Sequence, residues 1–214
     1  MTQGYTHVRL LASNRPSSVR VAEVFERDDD LIAVLADGAG GIRGGEAASR
    51  VLIEAVRSAV ADSAFATDDV RAWADLFQAS DLSLTAKHSG ETSAVVVALG
   101  LRGIVGVSAG DCEAWVVNPA LVDDLTSGQH TKSRLGTGRA VPVTFQRAAL
   151  EGVLLAGTDG LFKYASKGVI AHIVCSNTIA LAAEALVELV RLPSGRFADE
   201  AAIFLATRKP VSSA

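Results

Sequence analysis

Residues 31–41 read Leu-Ile-Ala-Val-Leu-Ala-Asp-Gly-Ala-Gly-Gly. A short apolar run that ends in Asp-Gly predicts a buried β-strand followed by a tight loop. The strand brings a carboxylate, that of Asp37, to its end. Further aspartates have the same setting, at the end or the start of a short apolar run: Asp111, Asp159 and Asp199. Because strand ends are rigid, carboxylates placed there can be held at fixed separations.

Carboxylates that converge repel one another, so their convergence requires a cation or protons. Sites made of oxygen ligands alone are preferred by hard ions, Mg²⁺ or Mn²⁺, rather than zinc. The chain has 4 histidines, none spaced as His-x-x-x-His, and 2 cysteines, which argues against a histidine-rich or cysteine-based metal site. The alternative for any single Asp-Gly pair is an ordinary turn. The repeated setting favours a shared metal site.

The glycine-rich stretch 37–45 follows a predicted strand and leads into a predicted helix, as phosphate-binding loops do. It lacks the spacing G-x-G-x-x-G, because Arg43 stands at the third glycine position, and it lacks the Gly-Lys-Ser/Thr of a P-loop. Asp37 at its start would repel a phosphate unless a metal ion intervened. The pattern therefore favours a metal-bearing loop over a nucleotide site.

Short apolar runs and amphipathic stretches share the chain. The runs that predict strands are residues 8–11, 31–35, 93–99, 104–108, 114–117, 152–156 and 201–206, and the stretches that predict helices are 45–61, 68–80 and 178–192. Short turns join the strands between residues 93 and 117, which indicates antiparallel hairpins. The order is not the strict strand–helix alternation of a doubly wound sheet, so we predict an α+β fold.

The composition limits the class of protein. The chain has 214 residues, 49% of them hydrophobic and 21% charged, and a net charge of −4. These values predict one folded domain over residues 1–209 with a short tail at 210–214, and they argue against disorder and against nucleic-acid binding. No apolar run approaches the roughly 18 residues of a membrane span, and the N-terminus shows no secretory pattern. We therefore expect a cytoplasmic protein without a membrane partner.

Five motifs, in order along the chain, resemble those of the PP2C-type (PPM) metal-dependent protein serine/threonine phosphatases. They are the Asp-Gly-x-Gly-Gly strand at 31–41 with Gly-Glu-Ala-Ala-Ser at 45–49, Glu-Thr-Ser-Ala at 91–94 where the family has Gly-Thr-Thr-Ala, the Gly-Asp hairpin at 107–115, Thr-Asp-Gly-Leu within 154–161, and the closing strand at 199–205. The chain looks like a small bacterial member. The resemblance implies a four-layer α-β-β-α sandwich with two central antiparallel sheets.

The resemblance also implies two Mn²⁺ or Mg²⁺ ions and a third, weaker ion position. Asp37 matches the carboxylate that bridges the first two ions, and Gly38 matches the residue that offers its carbonyl oxygen. The other matches are Asp159 and Asp199 for the first ion, Glu23 for the second, and Asp111 with Asp159 for the third. Arg20 lies near the position of the family's phosphate-binding arginine. Asp37, Asp159 and Arg20 are thus the predicted catalytic residues.

The chain departs from the family pattern in several places. Val24 stands where an aspartate follows the metal-binding glutamate, Ala39 replaces a histidine found in some members, and the segment 125–138 near the active-site mouth is short. The alternative for Arg20 is a solvated surface arginine. The alternative for Glu23 is a surface residue beside the acidic run that follows it.

The implied function is hydrolysis of phosphoserine and phosphothreonine by a water shared between two divalent cations, in bacterial signalling. The implied partner is a phosphorylated protein, such as a serine/threonine kinase or its target. The alternative, left open by Val24 and the short segment 125–138, is a catalytically weak phosphatase-like module that binds a phosphoprotein. Retention of Asp37, Asp159 and Asp199 favours the enzyme, because a binding module has no need of acids that repel one another.

Overall fold

The computed structural model of the protein describes residues 4–14, 20–39, 44–129, 131 and 133–209, without the side chains of residues 20 and 21. These residues form two five-stranded sheets in which neighbouring strands are antiparallel. The first sheet contains, in spatial order, β1 (Tyr5–Ala12), β10 (Ala201–Arg208), β9 (Val153–Gly157), β6 (Glu113–Val117) and β7 (Val122–Asp124). The second contains β2 (Arg20–Arg27), β3 (Asp30–Gly38), β4 (Thr92–Gly100), β5 (Gly103–Ala109) and β8 (Val143–Arg147).

Helices cover the outer face of each sheet. Those on the second sheet are α1 (Gly45–Ala61) and α2 (Val70–Ala86), and those on the first are α3 (Asp159–Phe162), α4 (Lys167–Ser176) and α5 (Ile179–Leu189). One apolar core lies between the sheets, and another lies between each sheet and its helices. The α+β fold, a four-layer sandwich with two central antiparallel sheets, is confirmed.

Strand β3 shows why the apolar run at its centre is unbroken. Val34 belongs to the core under α1 and Leu35 to the core between the sheets, and both side chains are fully buried. Successive side chains of a strand point to opposite faces of the sheet. A central strand that is covered on both faces therefore needs an apolar residue at every position.

The predicted strands are all present, with bounds that differ by a few residues. Helix α1 has its predicted bounds, whereas α2 continues to Ala86 and α5 stops at Leu189. The sequence prediction omitted strands β2, β7 and β8 and helices α3 and α4. The three omitted strands all lie at sheet edges. Edge strands carry exposed polar residues, which interrupt the apolar pattern on which the prediction depends.

Three further predictions concern membrane spans, the C-terminal tail and the glycine-rich stretch. No helix among the described residues is long and apolar enough to cross a membrane. The predicted tail, 210–214, and the middle of the glycine-rich stretch, 40–43, lie outside the described residues.

Candidate active site

Asp37 lies at the end of β3, directly opposite Ser93 on β4 and residue 20 on β2. Its side chain is only 8% exposed. Leu35, two residues earlier, belongs to the core between the sheets. Because side chains alternate along a strand, Asp37 points to the same side and faces the other sheet. The strand ends that carry Asp37, Asp111, Asp159 and Asp199 are called the acidic end below.

Asp111 is connected to this strand end through Ser93. The Ser93 hydroxyl donates a hydrogen bond of 2.6 Å to Asp111 Oδ1. The two residues approach closely because Gly110 precedes Asp111 with a φ of 87°, and a Cβ at Gly110 would lie 2.3 Å from Ser93 Oγ. Ser93 is also the residue opposite Asp37, so one serine lies between two of the predicted acids.

Asp159 and Asp199 lie together at the ends of the neighbouring strands β9 and β10. The Thr158 backbone N–H donates to the Ala202 carbonyl at 3.1 Å, and the Ala202 N–H donates to Thr158 Oγ1 at 3.0 Å. A Cβ at Gly160 would lie 2.0 Å from the Glu200 carbonyl oxygen, so only glycine allows this approach. The Asp-Gly pair therefore places Asp159 beside the start of β10.

The negative charges of Asp159 and Asp199 both act on the side chain of Lys163. Its pKa is raised above the ordinary lysine value, first by its hydrogen bond with Tyr164 and the charge of Tyr164, and then by the negative charges of Asp159 and Asp199. Lys163 is exposed. The two carboxylates thus act electrostatically on one common neighbour.

An open cleft of about 620 Å³ runs past the acidic end. Its lining includes Asp111 and Asp159, together with two cations, Arg134 and Lys163. The Arg134 guanidinium lies 3.9 Å from Asp111 and 4.0 Å from Glu91. The cleft thus combines predicted metal-ligating acids with positive side chains that can meet an anionic group.

Glu23 lies elsewhere. It is opposite Val34, whose side chain belongs to the core under α1, so Glu23 points to the helix-covered face of the sheet and Asp37 to the other face. Its carboxylate accepts a hydrogen bond of 2.5 Å from Arg57 on α1. The structure therefore does not bring Glu23 to Asp37, and the interpretation of Glu23 as a surface residue describes its position.

The acidic end supplies the donors that a hard divalent cation prefers, but it is not closed around one. All 24 acidic residues and both cysteines lie within the described residues, which leave out one histidine, His130. In this part of the chain, no three His, Cys, Asp or Glu side chains are arranged to hold a metal ion as they stand. Asp37, Asp159 and Asp199 each have an interaction partner. The chemistry of the carboxylates suits a hard divalent cation, but the side-chain positions among the described residues do not form a finished ligand set.

Two further predicted residues flank Asp37. A Cβ at Gly38 would lie 2.3 Å from the backbone of Gly45, so this glycine lets the strand end pass directly against the start of α1. Residue 20 is opposite Asp37, but the Arg20 side chain is outside the described part of the structure. The phosphate-binding role of Arg20 remains a prediction.

Sequence reasoning did not single out Arg134, Lys163 or Glu91 as site residues. Arg134 lies inside the segment 125–138, where the family pattern is shortened, and Glu91 stands where the family has glycine. A charged residue at a position that departs from the family pattern is the signal that could have found Arg134 and Glu91; no such signal marks Lys163.

No family model matches the chain, and no curated protein matches it. Solved structures are similar over nearly the full length. A bacterial serine phosphatase is 20% identical, with 99% of this chain and 100% of that chain covered and a TM-score of 0.81. The serine/threonine phosphatase Stp1 from Staphylococcus aureus is 20% identical, with 98% and 96% covered and a TM-score of 0.82.

The catalytic domain of the serine/threonine protein phosphatase PstP, in complex with 2 manganese ions, is 20% identical. Here 95% of this chain and 97% of that chain are covered, with a TM-score of 0.72. At this level of identity, the similarity establishes the arrangement of the chain rather than its chemistry. The chain has the fold of the bacterial serine/threonine phosphatases, as the resemblance of its motifs predicts.

Proposed function

We propose that this protein is a PP2C-like protein serine/threonine phosphatase that hydrolyses phosphoserine and phosphothreonine at its acidic end. What supports this most is a series of neighbouring acids in a phosphatase-type sandwich. Asp37 and Asp111 lie on either side of Ser93, Asp111 and Asp159 line one cleft, and Lys163 lies near both Asp159 and Asp199. A fold needs no such series of acids for its stability, because neighbouring carboxylates repel one another.

The proposed cofactor is Mn²⁺ or Mg²⁺. Asp37, Asp159 and Asp199 would hold the first ion, with Asp111 close to Asp159 as the weaker additional position. When bound, such an ion lowers the pKa of a water molecule and offsets charge on the phosphoryl oxygens. The resemblance implies a water shared by two ions, but Glu23, matched to the second ion, is paired with Arg57 on the other face of the sheet. We therefore base the proposal on the first ion's ligands.

The chain's own residues would bind and orient the phosphoryl group. Arg134 and Lys163 line the cleft on which Asp159 also opens, and their positive charges favour a dianion there. Arg20 is proposed as a further phosphate ligand. The cleft is open to solvent, so it can receive a phosphorylated side chain that projects from a protein. A phosphorylated kinase or its target, in the cytoplasm, is the proposed partner.

Hydrolysis of a phosphothreonine peptide, with and without Mn²⁺, tests the proposal. We expect turnover that requires the metal and is abolished by a chelator. Asp159→Asn should lower kcat/KM by about 100-fold or more, since removing even a neighbour of a metal ligand commonly costs 10- to 100-fold. Asp75→Asn is the matched control, because Asp75 is exposed on α2. Turnover without metal, or an unaffected Asp159→Asn variant, would refute the proposal.

A second candidate function is a phosphoprotein-binding module with weak catalysis. It is favoured by the placement of Glu23 and by the absence, among described residues, of three side chains arranged around an ion. This function predicts that folded protein binds the phosphothreonine peptide without releasing phosphate at any Mn²⁺ concentration. The same assay, run with a binding measurement, separates the two.

A further inference from the structure

Arg134 lies in the cleft near two acids, at a distance too long for a hydrogen bond to either. Its guanidinium is 3.9 Å from Asp111 and 4.0 Å from Glu91, and the side chain is 36% exposed. Hydrogen bonds from a guanidinium to a carboxylate are normally about 2.7–2.9 Å long. The two acids therefore attract the guanidinium into the cleft without using its N–H donors.

Other arginines of the chain show the contrast. Arg147 donates two hydrogen bonds, of 2.6 and 2.8 Å, to the carboxylate of Asp123. Arg191 binds Glu188 in the same forked manner, at 2.8 and 3.0 Å. In both pairs, two nitrogens of the guanidinium donate hydrogen bonds to one carboxylate. The fork of Arg134 matches a phosphoryl group as well as it matches a carboxylate.

The backbone directly after Arg134 is held by two sets of hydrogen bonds. Leu135 exchanges two backbone hydrogen bonds of 3.0 Å with Thr92, the residue before Ser93. Asp81 on α2, only 5% exposed, accepts backbone N–H groups from the next residues. These are Gly136 at 2.6 Å, Gly138 at 3.0 Å and Ala140 at 3.1 Å. One buried carboxylate thus holds the backbone of residues 136–140 in place.

These hydrogen bonds fix the backbone next to Arg134 before a ligand binds. A ligand-binding side chain on a mobile loop loses affinity to the cost of ordering that loop. The contacts of Leu135 and Asp81 meet this cost during folding, before any ligand arrives. Glu91 and Asp111 then limit where the guanidinium can lie, and both place it beside Ser93 and the acidic end.

We propose that Arg134 binds the phosphoryl group of the substrate in this cleft, and that Asp81 is the residue that positions it. The inference rests on the proposed function for the identity of the ligand, a phosphate monoester dianion. It adds a binding residue that neither the motifs nor the family pattern assigns.

Calorimetric titration with inorganic phosphate in the presence of Mg²⁺ tests the role of Arg134. We expect Arg134→Ala to raise the Kd for phosphate by about 10- to 100-fold, the usual effect of losing charge-assisted hydrogen bonds. Arg134→Lys should lie between, because it keeps the charge and loses the fork. Arg139→Ala, which changes an exposed arginine directly after this segment, is the matched control. Equal Kd values for wild type and Arg134→Ala, or no binding by wild type, would overturn the inference.

Asp81→Asn, alone and combined with Arg134→Ala, tests the positioning role. We expect Asp81→Asn to weaken phosphate binding in the wild type and to have no further effect once Arg134 is gone. Additive losses would show that Asp81 acts independently of Arg134 and would overturn its positioning role. Because phosphate binding is measured without turnover, a protein that fails to hydrolyse phosphopeptides can still confirm Arg134. Conversely, an active enzyme with an unaffected Arg134→Ala variant would refute this inference alone.

Discussion

Strand β3 carries an aspartate near each end, Asp30 at its start and Asp37 as its next-to-last residue, and the two have different surroundings. At its start, Asp30 accepts a hydrogen bond from the Thr67 hydroxyl. Arg27, next to the same hairpin, also donates to Thr67 and to the carbonyls of Asp62 and Phe65, at 3.0 and 2.8 Å. At this end, Thr67 donates to Asp30, and Arg27 donates to carbonyls of the loop after α1. The network therefore holds the hairpin of β2 and β3 to that loop.

At the other end of the strand, Asp37 faces the sheet that carries Asp159 and Asp199, with Ser93 and Asp111 beside it. Here Asp37 and Asp111 lie on either side of one serine, and the nearby cations, Arg134 and Lys163, lie in an open cleft. The comparison shows that an aspartate at a strand end has no fixed role. Its surroundings differ with its place in the fold: Asp30 accepts a hydrogen bond from a loop threonine, and Asp37 lies beside Ser93 at the acidic end.

The largest expected effect separates the two ends of β3. Asp37→Asn should lower metal-dependent phosphopeptide hydrolysis by about 100-fold or more while the free energy of unfolding stays the same or rises slightly, because a repelling charge is removed. Asp30→Asn should keep activity within about twofold and lose about 1–2 kcal/mol of stability. Steady-state kinetics and urea unfolding measure both.

Thermal unfolding and near-UV circular dichroism are the controls for this pair, since both variants must be folded when they are assayed. If Asp30→Asn lost activity as strongly as Asp37→Asn, the division between a structural end and a functional end would be wrong.

A smaller effect is expected at Arg27, the main donor of the structural end. Arg27→Ala removes hydrogen bonds to loop carbonyls and to Thr67, and we expect a loss of about 2–3 kcal/mol in unfolding free energy. Activity at low temperature should be retained, because the network lies at the opposite end from the cleft. Arg71→Ala, exposed on α2, is the control. A selective loss of activity would contradict this interpretation.

The pair of Asp123 and Arg147 joins edge strands of the two sheets and tests how much a closed ion pair contributes. The hydrogen bond from Arg147 is the main cause that lowers the pKa of Asp123 below its ordinary value of 3.8. A lowered carboxyl pKa gives stability that is present above the ordinary pKa and is lost as the pH falls through the folded-state pKa. Arg147→Met should therefore cost about 0.5–1 kcal/mol at neutral pH, a modest value since both side chains are partly exposed.

In urea unfolding at a series of pH values, the difference between wild type and Arg147→Met should shrink below about pH 4 and vanish when Asp123 is protonated in both states. A difference that is constant with pH would show that the arginine acts by packing.

The smallest effect is expected at Glu23. Because its carboxylate is paired with Arg57 on the helix-covered face, Glu23→Gln should leave Mn²⁺ affinity and hydrolysis within about twofold, and cost less than about 1 kcal/mol of stability. Calorimetric titration with Mn²⁺ measures this directly. A loss of metal affinity as large as that of Asp199→Asn would restore Glu23 as a ligand and would show that the strand pair rearranges on metal binding.

Much of the fold could be predicted from the sequence. The unbroken apolar runs of β3, β4 and β5 predict strands covered on both faces, and the stripe of α1 predicts its bounds. Strands β2, β7 and β8 could not be found in this way, because charged and polar residues interrupt their apolar pattern at a sheet edge. Strand β1 also lies at an edge and was found only over its short apolar run, 8–11. Side chains there are not sorted into buried and exposed sets with a clear period.

The candidate site likewise contains residues that local sequence could identify and one whose position depends on the fold. Asp37, Asp111, Asp159 and Asp199 were identified by their position at strand ends, a local property. Glu23 was matched to the metal-binding glutamate of the family pattern, and a match along the chain does not say which face of the sheet a side chain takes. The pairing of Glu23 with Val34, rather than with Asp37, decides its face.

The sequence by itself determined the strands, the principal helices and the aspartates that end or begin them, because hydrophobic period and turn residues act over a few neighbouring positions. Only the tertiary structure decided which acids share an environment. Asp30 and Asp37 belong to one strand and have the same chemistry. Their different roles come from what the rest of the chain places around them: Thr67 at one end, and Ser93, Asp111 and the first sheet at the other. Such contacts depend on strand register and sheet packing, which no local pattern specifies.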